Sequence, residues 1–140
     1  MRKWARGAVC GQLVERVRFA MKKVMIVEDN ELNMKLFNDL LQAQGYCTIQ
    51  VMDGKDVVKQ ARQNRPNLII MDIQLPGVSG VELTRQIKAD PELKDIPVLA
   101  VTAFAMKGDQ DKIMESGCDG YLSKPISVPI FLETVAKFFG

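Results

Sequence analysis

The chain has 140 residues, 47% of them apolar, and a formal net charge of +2. That length suits one domain with a core of its own, and no apolar run approaches the roughly 20 residues that span a bilayer. Histidine is absent, which excludes a Ser-His-Asp triad, the common His-based metal sites and any phosphohistidine on this chain. Carboxylates, hydroxyls and lysines are left to carry whatever chemistry occurs.

Residues 1–20 stand apart in charge. They hold Arg2, Lys3, Arg6, Arg16 and Arg18 against Glu15, a net +4, while the remainder holds 14 basic and 16 acidic residues. The basic start is not followed by a signal peptide's apolar stretch, because Gln12, Glu15, Arg16 and Arg18 interrupt it. This extension is expected to lie outside the folded domain, which is placed at 21–140. Three readings compete: an artefact of start-codon choice, a flexible basic tail, or a short helix with Leu13, Val14, Val17 and Phe19 as an imperfect apolar face. The mildly acidic remainder does not suggest a nucleic-acid surface. Cys10, Cys47 and Cys118 form no CxxC pair and read as reduced thiols of a cytoplasmic protein.

In chain order, Val24-Met25-Ile26-Val27 predicts a first strand. A helix is expected from Glu31 to Gln44, capped by Asn30 and ended by Gly45. Its apolar face is expected to be Leu32, Leu36 and Leu40, with Phe37 and Leu41 beside them. Tyr46 to Val51 is a weaker strand, and Asp53 to Asn64 a helix stopped ahead of Pro66. Leu68-Ile69-Ile70-Met71 predicts a strand, and Ser79-Gly80-Val81-Glu82 a capping box that opens a helix toward Asp90. Val98-Leu99-Ala100-Val101 predicts a further strand. Met106 to Ser116 is a poor helix, with Gly108 inside it and few apolar positions. Tyr121-Leu122 is a weak strand, and Ser127 can cap a last helix with Phe131, Val135 and Phe138 on one face. Continuous rather than alternating apolar runs suit parallel strands covered on both faces. The order βαβαβαβαβα therefore argues for an α/β, doubly wound parallel sheet of five strands.

Each strong strand ends in a polar group: Glu28-Asp29 after the first, then Asp72, then Thr102, while the weak fifth ends at Ser123-Lys124. Ligands of open α/β sheets bind at the carboxyl ends of strands. One edge thus gathers three carboxylates, a hydroxyl and an ammonium. A single strand-end aspartate most often caps the next helix; five such groups together are not explained that way. Clustered carboxylates repel and call for a cation. Oxygen ligands with no His or Cys nearby point to Mg²⁺.

The residues Val27-Glu28-Asp29-Asn30, Met71-Asp72 with Leu75-Pro76, Val101-Thr102-Ala103 and Ser123-Lys124-Pro125 resemble the response-regulator receiver signature in order and spacing, from about Lys22 onward. The longer stretches from Val27 and from Val101 are similar to the DivK group of stand-alone receivers, which control cell division and polarity. The resemblance implies a flavodoxin-like sheet of order 2-1-3-4-5. It implies that Glu28, Asp29 and Asp72 hold Mg²⁺ with the backbone carbonyl of Gln74, and that Asp72 accepts a phosphoryl group. It further implies that Thr102 bonds that group, that Lys124 pairs with its oxygens before a cis bond to Pro125, and that Tyr121 is the aromatic switch. Two details depart from the commonest pattern: Glu-Asp replaces Asp-Asp, and Gly77 stands where a larger residue is common.

The implied activity is a phospho-signalling switch, not a turnover enzyme: self-catalysed phosphotransfer from a sensor histidine kinase, and autodephosphorylation. Its implied output is a downstream signalling protein bound through the face from Thr102 to Tyr121, including Phe104 and Met106. No DNA-binding domain and no stable membrane insertion are expected, and the implied location is cytoplasmic, with polar placement through partners. Three alternatives remain open. A haloacid-dehalogenase-type phosphatase wants a second Asp where Gln74 stands. A nucleotide-binding module wants a glycine-rich phosphate loop, absent here. A non-phosphorylated receiver-like interaction domain would not need the intact set Glu28, Asp29, Asp72, Thr102 and Lys124.

Overall fold

The computed structural model describes residues 22–103 and 107–139. Strands β1 (Lys23–Val27), β2 (Cys47–Val51), β3 (Leu68–Asp72), β4 (Val98–Thr102) and β5 (Gly120–Ser123) form one sheet in the order β2-β1-β3-β4-β5. All four pairings are parallel, as the apolar runs predicted. Helices α1 (Glu31–Ala43), α2 (Val57–Asn64), α3 (Gly80–Ala89), α4 (Lys107–Glu115) and α5 (Val128–Phe139) join the strands, and a short 3₁₀ turn, Gly54–Asp56, precedes α2.

Alternation along each strand divides the core into two layers. Val24, Ile26, Leu68, Ile70, Leu99 and Val101 face α1 and α5, where they meet Met34, Phe37, Leu41, Phe131 and Val135. Met25, Val27, Ile69, Met71 and Ala100 face the other way, onto Val57 and Ala61 of α2, Leu83 and Ile87 of α3 and Ile113 of α4. The Phe37 and Phe131 rings stack at 5.2 Å between centroids, a pairing worth about 1 kcal/mol beyond its area.

Helix α1 corrects the expected face. Its buried residues are Met34, Phe37 and Leu41, while Leu32 is 80% and Leu36 41% exposed. At about 100° per residue, Leu32 and Leu36 lie nearly opposite Met34; repeated steps of four drift steadily around the 3.6-residue turn, whereas a step of three followed by one of four, as from Met34 to Phe37 to Leu41, returns close to the same face. The Asn30 cap forms as expected, its Oδ1 accepting from the Asn33 N–H at 3.0 Å. The Ser79 cap forms on the Val81 N–H at 3.1 Å. Cys118 is a free, buried thiol. Cys47 is disulfide-bonded, which corrects the expectation of free thiols throughout. The extension 1–20, Phe104 and Met106 also lie outside them. No helix among the described residues is long and apolar enough to cross a membrane.

The start of α3 lies against the end of β3. A Cβ at Gly80 would stand 2.5 Å from the Asp72 carbonyl oxygen and 2.6 Å from the Ile73 Cα, and the Gly80 N–H donates to the Ile73 carbonyl at 3.1 Å. Only a residue without a side chain permits this approach. In an ordinary first turn Gly→Ala gains roughly 0.5–1 kcal/mol. Gly80→Ala should instead lose about 1–3 kcal/mol, the range for overpacking, seen as a lower urea midpoint with an unchanged slope. A midpoint that holds or rises would contradict the close approach.

Candidate functional site

The carboxyl ends of β1, β3 and β5 converge on one small acidic cluster. Glu28, Asp29 and Asp72 each place a carboxylate oxygen within 4.8 Å of the others. Glu28 and Asp72 are buried, at 1% and 3% exposure, while Asp29 is exposed. The arrangement follows from chain direction: parallel strands all deliver their last residues to the same edge.

Lys124 enters from the far side. Its Nζ stands 3.1 Å from Glu28 Oε1 and 3.5 Å from Asp72 Oδ2. The Lys124–Pro125 bond is cis, and the Lys124 N–H donates to the Thr102 carbonyl at 2.7 Å. The other Asp72 oxygen, Oδ1, accepts from the Gln74 N–H at 3.0 Å, and Glu28 Oε2 accepts from the Asn30 N–H at 3.2 Å. Thr102 is fully buried at the end of β4, paired in register with Ser123. Tyr121 is half-buried and packs on the core layer beneath α2, α3 and α4.

The charge balance is unfavourable to an empty site. Burial, reinforced by the Asp72 carboxylate, pushes Glu28 up to about 7, although the Asn30 N–H and Lys124 pull the other way. One ammonium does not offset three carboxylates at this spacing. A hard divalent cation taking oxygen ligands fits the donor set, and Mg²⁺ is such an ion. Asp29 and Asp72 could supply charged oxygens, with Glu28 behind them.

The structure therefore brings together Glu28, Asp29, Asp72 and Lys124, with Thr102 on the neighbouring strand end. Gln74 takes part through its backbone N–H. Two contributors escaped the sequence reading. Gly80 appears there only as part of a cap, and its closeness to Asp72 has no local signature. The Gln74 side chain also reaches across the site: its Oε1 accepts from the Ala103 N–H at 3.3 Å.

Residues 24–136 match the family described as the response regulator receiver domain. The polar-differentiation response regulator DivK of Brucella anthropi is 60% identical over 119 residues, covering 85% of this chain and 97% of that protein. The DivK of Brucella ovis is equally similar over the same span. Among solved structures, the receiver domain of a sensor histidine kinase from Pseudomonas aeruginosa superposes with a TM-score of 0.80 at 31% identity, over 86% of this chain and 98% of that one. That crystal structure carries a magnesium ion coordinated in its active-site cleft. The chemotaxis protein CheY4 of Vibrio cholerae gives a TM-score of 0.79 at 25% identity, over 84% of this chain and 98% of its own.

The raised Glu28 carboxyl has a consequence for stability. A carboxyl whose folded pKa exceeds its unfolded value stabilises the fold below the unfolded value and ceases to do so as pH rises through the folded one. Without divalent cation, stability should fall as pH is raised from about 4.5 to 7. Thermal melts in EDTA across that window should show the slope, and Glu28→Gln should flatten it. An identical slope in the variant would remove Glu28 as its origin.

Proposed function

The chain belongs to the response regulator receiver family, and from that premise we propose that it accepts a phosphoryl group on Asp72 from a sensor histidine kinase, in a Mg²⁺-dependent reaction. The observation that carries this reading is the trio of carboxylates within 4.8 Å, with Lys124 bridging two of them. A receiver-like domain serving only as a docking module would have no use for so strained a cluster.

In the proposed reaction an Asp72 carboxylate oxygen attacks phosphorus. The phosphorus–nitrogen bond of the donor phosphoimidazole breaks, and its electron pair leaves with the imidazole, giving an acyl phosphate. Such transfer needs positioning and charge compensation more than covalent help. Asp29, Asp72 and the Gln74 carbonyl, with Glu28 behind them, would hold Mg²⁺, which would supply Lewis-acid charge to the phosphoryl oxygens. Lys124, already directed at Asp72, pairs with a phosphoryl oxygen. The Gln74 N–H orients the acceptor by holding Oδ1. Attack of water on the acyl phosphate returns the carboxylate and inorganic phosphate, so the protein resets itself.

The output reading follows. The phosphoryl group draws in the Thr102 hydroxyl, Tyr121 follows, and the surface from Thr102 to Tyr121 changes partner affinity. Leu32 and Leu36, exposed beside the acidic edge, offer an apolar surface for the kinase that must bring its phosphohistidine there. Similarity to the polar-differentiation regulators supports a role in cell division and polarity, with placement set by partners. The phosphatase alternative is disfavoured by Gln74, which offers no acid two residues past Asp72.

Intact-mass measurement after incubation with acetyl phosphate and Mg²⁺ tests the assignment. One phosphoryl adduct is expected on the wild type and none on Asp72→Asn or in EDTA. An adduct that persists on Asp72→Asn would place the acceptor elsewhere.

A further inference from the structure

We propose that the Gln74 side chain is a latch that holds the end of β4 in its unmodified arrangement and that phosphorylation must release. The inference rests on Asp72 being the acceptor, as read above. Its origin is the way the sheet runs out of partners at this edge. The Ile73 N–H donates to the Val101 carbonyl at 3.0 Å. In a parallel ladder the residue that donates to position 101 accepts next from position 103. Here the Ile73 carbonyl is taken by the Gly80 N–H at 3.1 Å, because α3 lies so close to the strand end. The Ala103 N–H is diverted to Gln74 Oε1 at 3.3 Å.

Gln74 is thus joined to both sides of the event. Its backbone N–H holds Asp72 Oδ1 at 3.0 Å, and its side chain holds the residue that directly follows Thr102. A phosphoryl group on Asp72 brings charged oxygens to the same edge, and a charged acceptor draws an N–H more strongly than a neutral amide oxygen does. The Ala103 N–H leaves Gln74 for the phosphoryl group, and the strand end moves with it. Gln74 therefore opposes switching in the unmodified protein. It is a positioning residue whose side chain sets the balance between two arrangements of the β4 end.

The test uses the full chain with Mg²⁺ and beryllofluoride, a stable stand-in for the acyl phosphate. Gln74→Met keeps the side-chain length and removes the acceptor oxygen; Gln74→Glu keeps an oxygen there. Hydrogen exchange of the Ala103 amide, followed by NMR on unmodified protein, should speed up roughly two- to tenfold in Gln74→Met, the span of one net hydrogen bond, and stay slow in Gln74→Glu. The beryllofluoride concentration for half-saturation should fall by a similar factor in Gln74→Met. Unchanged exchange and unchanged half-saturation would overturn the latch. So would a lowered unfolding midpoint without tighter beryllofluoride binding, which marks a merely structural role. If wild-type protein shows no Asp72-dependent response to beryllofluoride, the acceptor reading fails, and exchange at Ala103 still decides whether Gln74 holds that amide.

Discussion

Three carboxylates held within 4.8 Å of one another, two of them buried, and, among the described residues, a single ammonium beside them: the chemistry of the molecule depends on this imbalance. Without a cation, burial and the neighbouring Asp72 carboxylate push Glu28 up to about 7. A divalent cation relieves the repulsion, and an incoming phosphoryl group can then be met by cations and not by bare negative charge. The energetic cost of the empty site and the attraction of the loaded one have the same cause.

The fold makes that imbalance possible by being rigid elsewhere. Two apolar layers fix the five strands, so their carboxyl ends cannot splay to separate the acidic groups. Gly80 brings α3 against the Asp72 carbonyl, and the 3₁₀ turn before α2 braces the next loop: a Cβ at Gly54 would stand 3.3 Å from both Val78 and Leu83. The backbone at Asp72 is therefore closely packed by the start of α3. At the end of β4 the ladder gives way to a side-chain contact, the Ala103 N–H donating to Gln74 Oε1. With Asp72 as the proposed acceptor, a closely packed acceptor beside a strand end held by side-chain contacts would suit a switch.

Much of this was legible in the sequence. Continuous apolar runs gave the parallel strands, and the polar residues closing the runs gave the acidic cluster with Lys124 beside it, because strand direction alone brings those residues to one edge. What was hidden depends on tertiary placement. The apolar content of α1 is spread around the helix, so counting leucines placed Leu32 and Leu36 on the packed face with Phe37 and Leu41 and passed over Met34, whereas Leu32 and Leu36 are exposed and Met34 is buried. The closeness of Gly80 to Asp72 depends on where α3 docks, and the Gln74 side-chain bond crosses 29 positions of chain. Neither leaves a periodic trace.

The central claim is that the acidic trio is a divalent-cation site built around the acceptor Asp72. A crystal grown with Mn²⁺ in place of Mg²⁺, recorded at the manganese absorption edge, tests it directly. The account predicts one anomalous peak bound by Asp29, Asp72 and the Gln74 carbonyl, with Lys124 drawn away from Glu28. A protein that binds no Mn²⁺ there, with Lys124 still joining Glu28 to Asp72, would contradict it.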